Sequence, residues 1–185
     1  MKTARVMLKS VSAYSQSRAH TEEKLSKETH KAHEERTWRE RLHVDEKGVV
    51  FIPPMAFKNC LSEGAKYLSI QVPGKGKTTY TKHFESGVLV TDPLSLGIKK
   101  EDVSGEWLHV PSDGRRGGDK RVWKCFPIIH QWEGDVVFHI FDETVTKDIF
   151  AQVLKESGQF IGLGRFRPRR NGFYGRFMVE SIDWS

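Results

Sequence analysis

GQFIGLGRFRPRRNGFYGRF, residues 158–177, holds five glycines and five arginines and neither aspartate nor glutamate. What flanks it decides the fold. On its N-terminal side, Thr144 to Ser157 carries Val145, Ile149, Phe150, Val153 and Leu154 at helical spacing, and Gly158 is placed to end that helix. On its C-terminal side, FYGRFMVESIDW (173–184) alternates, with Phe177 and Val179 on one face and Arg176, Met178 and Glu180 on the other, as a closing strand does. The segment is therefore expected to be a surface loop between the last helix and the last strand.

Further from the loop, RVWKCFPII (121–129) and DVVFHIFD (135–142) flank HQWEG and are predicted to form a hairpin. Phe57, Cys60, Leu61, Gly64, Ala65 and Leu68 recur at helical spacing after Pro53 and Pro54, a proline pair suited to a helix start. From Thr3 to Val11, Ala4, Val6 and Leu8 alternate with Thr3, Arg5, Met7 and Lys9 as in a half-buried strand. Two stretches do not fit this frame. Residues 15–43 are almost entirely polar and charged, which predicts a partly helical, mobile insertion. Residues 73–120 hold short apolar pieces such as GVLV and EWLHV between Gly, Pro, Asp and Ser, which predicts a β-rich basic insertion without its own core.

Without the insertions the order is strand, helix, strand, strand, helix, strand. The expected class is α+β: one domain over 1–185 with a ferredoxin-like, RRM-like βαββαβ core, two large insertions, and the loop at 158–176. Helices would cover one sheet face and leave the other free, an arrangement that RNA-recognition domains use.

Composition narrows the function classes. The chain has 185 residues, 30 Lys plus Arg against 24 Asp plus Glu, net charge +6 and pI about 9.3. An excess this small matters only where it clusters. Cys60 and Cys125 lie far apart in apolar surroundings, as buried thiols of a reducing compartment do. The N-terminal residues, broken by Arg5 and Lys9, lack the apolar run of a signal peptide, and no segment has the length of a membrane span. A cytoplasmic location without membrane contact is expected.

In the loop, glycines let backbone approach phosphates, and Gly162, Gly164, Gly172 and Gly175 are expected to set its geometry. Arg165, Arg167, Arg169, Arg170 and Arg176 supply bidentate donors, and Phe166, Phe173 and Tyr174 supply rings for base stacking. Those are the requirements of single-stranded RNA or DNA. The plain alternative is a tight turn with arginines that keep it soluble.

The pattern IGLGRFRPRRNGFYGRF between the last helix and last strand of a ferredoxin-like domain resembles the signature loop of the RAMP superfamily of CRISPR-associated RNA-binding proteins. With one ferredoxin-like unit and large insertions, the chain is more similar to the backbone subunits that line guide RNA than to the repeat-cleaving nucleases. The resemblance implies single-strand binding, self-association along the strand and partner subunits of a CRISPR-type complex. It also implies that 15–43 and 73–120 correspond to the projecting insertions of such subunits. A stand-alone relative fits the pattern equally.

Other candidates are weaker. Arg115, Arg116, Lys120 and Arg121 form a second basic patch, diluted by Asp113 and Asp119. Lys75 and Lys77 add charge beside a GKT that resembles a P-loop end, but position 71 is Gln where a glycine is required. Trp38, Arg39 and Arg41 are suited to clamp a strand, or else Trp38 anchors the insertion. His30, His33 and Glu34 lack the HExxH spacing, so no metal and no cofactor is expected. No spacing singles out a catalytic pair. His43, His83 and His130 are the candidates for a metal-independent endoribonuclease, and a module that docks an acidic protein on its basic face is the third class.

Overall fold

The computed structural model describes residues 1–114, 117 and 119–185. In chain order the elements are β1 (Lys2–Ser10), β2 (Tyr14–Ser15), α1 (His30–Thr37), β3 (Val49–Ile52), α2 (Pro54–Leu68), α3 (Thr81–Gly87) and β4 (Val88–Val90). They continue as β5 (Leu94–Lys99), β6 (Ser104–Pro111), β7 (Arg121–Ile129), β8 (Glu133–Ile140), α4 (Lys147–Glu156) and β9 (Phe177–Trp184).

The alternation in β1 places Ala4, Val6 and Leu8 in the core and turns Arg5 and Lys9 outward. Strand β1 is central in an antiparallel sheet of order β4-β8-β1-β9, with Ala4 opposite Phe138 and Val6 opposite Val136. Helices α2 and α4 cover its apolar face through Phe57, Cys60, Leu61 and Ala65 on one and Ile149, Phe150, Val153 and Leu154 on the other. Phe150 meets Phe138 edge-on at 5.2 Å and Trp184 at 5.5 Å. A Cβ at Gly64 would collide with the Ser157 hydroxyl, so the glycine lets α2 approach the end of α4. This is the α+β, ferredoxin-like fold expected, with α2 and α4 as its two helices.

The strand assignment needs correction. The second core strand is not 121–129 but the three-residue β4, which pairs with β8 at Val88–Ile140 through Val90–Phe138. Strand β7 leaves that sheet and pairs along its length with β6, and at its end with β2, in a second sheet of order β2-β7-β6. Apolar alternation shows that a strand exists but not which strand it pairs with. A small ribbon of β3 and β5 completes the β structure.

The closing strand starts at Phe177 rather than 173. Its register with β1 shifts between Met7 and Leu8, which turns Phe177, Val179, Ile182 and Trp184 all toward the core. Helix α4 ends at Glu156 and continues as a wide turn over Ser157–Ile161 before Gly162.

The 15–43 segment is tied to the second sheet. Glu34 pairs with Arg41 through both guanidinium nitrogens, 2.6 and 3.1 Å, and accepts the Cys125 N–H at 2.7 Å. Arg41 also donates to the Cys125 carbonyl at 3.0 Å, so α1 and the following turn sit on β7. No described helix is long and apolar enough to cross a membrane.

Candidate nucleic-acid interface

The glycine-rich loop folds back on itself and onto β2. Leu163 N–H donates to the Gly175 carbonyl at 2.9 Å, Arg165 N–H to Ser15 at 2.8 Å, and Gly175 N–H to Ala13 at 2.7 Å. Gly164 (φ 73°) and Gly175 (φ 78°) occupy the left-handed region, and a Cβ would collide with the Ser15 carbonyl at the first and the Leu163 carbonyl at the second. A Cβ at Gly172 would strike the Phe166 carbonyl, and one at Gly162 would lie 2.6 Å from Pro168 Cδ. The glycines permit backbone packed on backbone.

That fold divides the arginines. Arg165 is drawn inward: its Nε donates to Ser15 Oγ at 3.0 Å and its guanidinium lies 3.9 Å from the Phe126 ring centroid. Burial pushes its pKa below the usual arginine value, against the pull of Tyr174 and Glu106. Tyr174 is buried and donates its hydroxyl to Glu106, and its pKa is pushed up to about 12 by burial and by that carboxylate. Arg167 donates to Glu63 at 2.7 Å, and Arg169 shares the same carboxylate at 3.3 Å. Arg170 is exposed on the short turn Pro168–Arg170, with no side-chain partner among the described residues. Arg176 Nε donates to the Gln159 carbonyl at 3.2 Å.

The outer surface of the loop keeps Arg169, Arg170, Phe166 and Phe173, the two rings 41% and 54% exposed and 5.6 Å apart. Beside it Arg169 and Arg170 join Lys66, Tyr67, Glu63 and Glu85 around an open cleft of about 570 Å³. Arg169 lies 5.6 Å from the Tyr67 ring, which is half exposed and neighbours Phe160 at 5.9 Å. Lys66 and Tyr67 escaped the sequence reading. The available signal was their place off the buried 57/60/61/64/65 stripe of α2, pointing out at the level of the loop.

The other predicted residues lie apart from this surface. Trp38 is buried with Arg39 stacked on it at 4.1 Å, and Arg41 is in the buried pair with Glu34. Lys75 and Lys77 are exposed on the turn between Val72 and Thr78, just before α3. Lys120 is exposed, and Arg121 donates to the His109 carbonyl at 3.1 Å. Arg115 and Arg116 lie outside the described residues.

Of the histidines, His130 is exposed. His83 Nδ1 is 2.6 Å from Asp142 Oδ2. His43 shares a cleft of about 360 Å³ with Arg18, Arg165 and Arg167, and burial followed by the Arg18 charge lowers its pKa. Among the described residues no group of three or more His, Cys, Asp or Glu is placed to hold a metal ion.

The open face of the sheet presents Thr3, Arg5, Met7 and Lys9 from β1 and Asp135, Val137 and His139 from β8, with Arg5 and Asp135 3.7 Å apart. None of these is a phenyl, phenol or indole ring. Stacking by aromatics on the sheet, as RNA-recognition domains do it, has no counterpart on these two strands.

No protein-family model matches the chain, and no curated protein matches it. Among solved structures it is similar to a chain of the cryo-EM structure of the Type III-B Cmr-beta bound to cognate target RNA, with a TM-score of 0.56 and 13% identity. The match covers 99% of this chain and 60% of that one, so the chain spans about three fifths of the length of its structural neighbour. At that identity the likeness is one of fold, over 99% of this chain.

Proposed function

We propose that the chain binds single-stranded nucleic acid, RNA favoured over DNA, with little sequence preference, and that copies assemble side by side as backbone-type RAMP subunits do. The observation that carries this is that one loop leaves exposed both Arg169 and Arg170 and the rings of Phe166 and Phe173. Cations for phosphates and rings for bases, presented together on a glycine-shaped loop, are what a strand without fixed sequence needs. The likeness of fold supports the reading, since the similar chain comes from a complex bound to target RNA. In this assignment the projecting parts are the 15–43 segment and the region from β5 to β7, with β4 returned to the core.

Assembly predicts that stoichiometry grows with strand length. Native mass spectrometry on oligoribonucleotides of increasing length tests it, and one protomer per strand at every length would overturn the side-by-side arrangement. His43 favours a second reading, metal-independent cleavage of RNA. A neutral imidazole at pH 7 is a general base, and Arg18, Arg165 and Arg167 in the same cleft stabilise negative charge. Products that appear with RNA, vanish with its 2′-deoxy counterpart and are lost in His43→Ala would establish it.

A further inference from the structure

We propose that the groove between α1 and the β6–β7 hairpin is a stacking site for one nucleobase, guanine in preference to the others. As a position on a bound strand it rests on the function proposed above.

The groove, about 390 Å³, is lined by Trp107, Trp123, Lys31 and Glu35. The two indoles are 38% and 53% exposed, while Trp38 and Trp132 are buried. Register places Trp107 opposite Cys125 and Trp123 opposite His109, so both indoles leave the same face of the hairpin and are diagonal neighbours. Diagonal cross-strand neighbours stand about 7–8 Å apart, their Cβ atoms somewhat closer, and two ring contacts of about 3.5–4.0 Å each span about that distance. The backbone spacing thus suits one flat ring inserted between two. Trp123 is stiffened by His109, stacked on it at 5.1 Å and 30°. Trp107 has no ring partner among the described residues.

Lys31 and Glu35, one helical turn apart and 3.8 Å from each other, supply the polar groups. Their side chains are 70% and 53% exposed, so the pair is weak and can exchange partners. A carboxylate accepts two hydrogen bonds side by side. Guanine alone presents two adjacent donors, N1–H and the N2 amino group, on its pairing edge. Adenine, cytosine and uracil each set an acceptor beside their donor. Lys31 and Arg121, the latter on the same face two residues from Trp123 and held on the His109 carbonyl, are the cations for the attached phosphate.

The glycine-rich loop packs on the opposite face of the hairpin, where Arg165 covers Phe126 and Tyr174 bonds Glu106. The two sites can therefore be altered separately. Tryptophan fluorescence reads the groove, because its indoles are the exposed ones. Titration of the full chain with 5′-GMP, AMP, CMP and UMP is expected to show quenching at least about fivefold tighter for GMP. Trp107→Ala/Trp123→Ala should remove the response. Glu35→Gln should bring the four nucleotides to within about threefold of one another, with circular dichroism unchanged, since one paired acceptor is lost. Arg169→Ala/Arg170→Ala should leave the GMP response as it is.

Equal quenching by all four nucleotides, none by any, or a response that survives loss of both indoles overturns the site. If oligoribonucleotides bind through Arg169 and Arg170 while GMP does not quench, the groove fails and the function above stands. If GMP quenches but no oligonucleotide binds, the function fails and the groove stands. Loss of self-association, without any nucleotide effect, in the double tryptophan variant would make the face a protein interface and refute the proposal.

Discussion

Replacing Glu34 by alanine tests how the first insertion is held. Glu34 and Arg41 have side chains only 9% and 11% exposed, and the carboxylate binds both guanidinium nitrogens and the Cys125 N–H. Its removal strands a buried cation and a buried amide. Breaking such a pair costs about 3–5 kcal/mol, and in a chain of this size that lowers the melting temperature by about 6–20 °C. Glu34→Leu/Arg41→Met removes both charges and should regain part of the loss. The part not regained is the Cys125 N–H and carbonyl left without partners, about 1–3 kcal/mol each. Urea denaturation of the parent, the single and the double variant measures all three. A loss below about 1 kcal/mol in Glu34→Ala would refute the claim that this pair anchors α1 to β7, because no buried charge would then have been stranded.

Three further outcomes are expected. Burial pushes the Cys60 thiol up to about 12, and burial with the Glu34 charge pushes Cys125 up to about 11, so both should resist a thiol reagent at pH 8 until the chain unfolds; fast stoichiometric labelling of folded protein would contradict this. The His43 pKa lies below its unfolded value of about 6.5, so the unfolded chain takes up the proton first and stability is lost as pH falls through that value toward the folded one; parent minus His43→Gln stability should therefore fall from pH 7.5 to 5.5, and a flat difference would refute it. Gly164→Ala should destabilise more than Gly74→Ala: both have φ above 70°, costing about 1–3 kcal/mol each, but only at Gly164 does a Cβ meet neighbouring backbone, and equal melting temperatures would contradict the packing of the loop on β2.

Strands and helices with a long apolar rhythm were legible: Ala4, Val6 and Leu8 in β1, the stripe of α2, and Ile149 to Leu154 in α4. Strand β4 was not, because three residues, Val88–Val90, are too few to establish a period. The partner of β7 was not, because pairing joins it to β6 across an intervening loop while β8 lies nearer in sequence. In the loop, the positive charge was readable and its neutralisation was not. The segment holds no carboxylate of its own, yet Glu63 from α2 reaches Arg167 and Arg169, and Glu106 from β6 reaches Arg165 and Tyr174. Trp107 and Trp123 read as ordinary strand residues, since exposure of a ring depends on whether a helix covers that face, and α1 leaves a gap there.

The central claim, a single strand held on the loop by Arg169 and Arg170, is tested most directly by the salt dependence of binding. Fluorescence anisotropy of a labelled single-stranded RNA across a range of salt concentrations gives the slope of log affinity against log salt. Each phosphate contact on a single strand contributes about 0.7 to that slope. Arg169→Ala/Arg170→Ala should therefore weaken binding and make the slope shallower by about 1.4, while duplex RNA at matched ionic strength binds less well than the single strand. An unchanged slope and affinity in the folded variant, or a preference for duplex, would contradict the account.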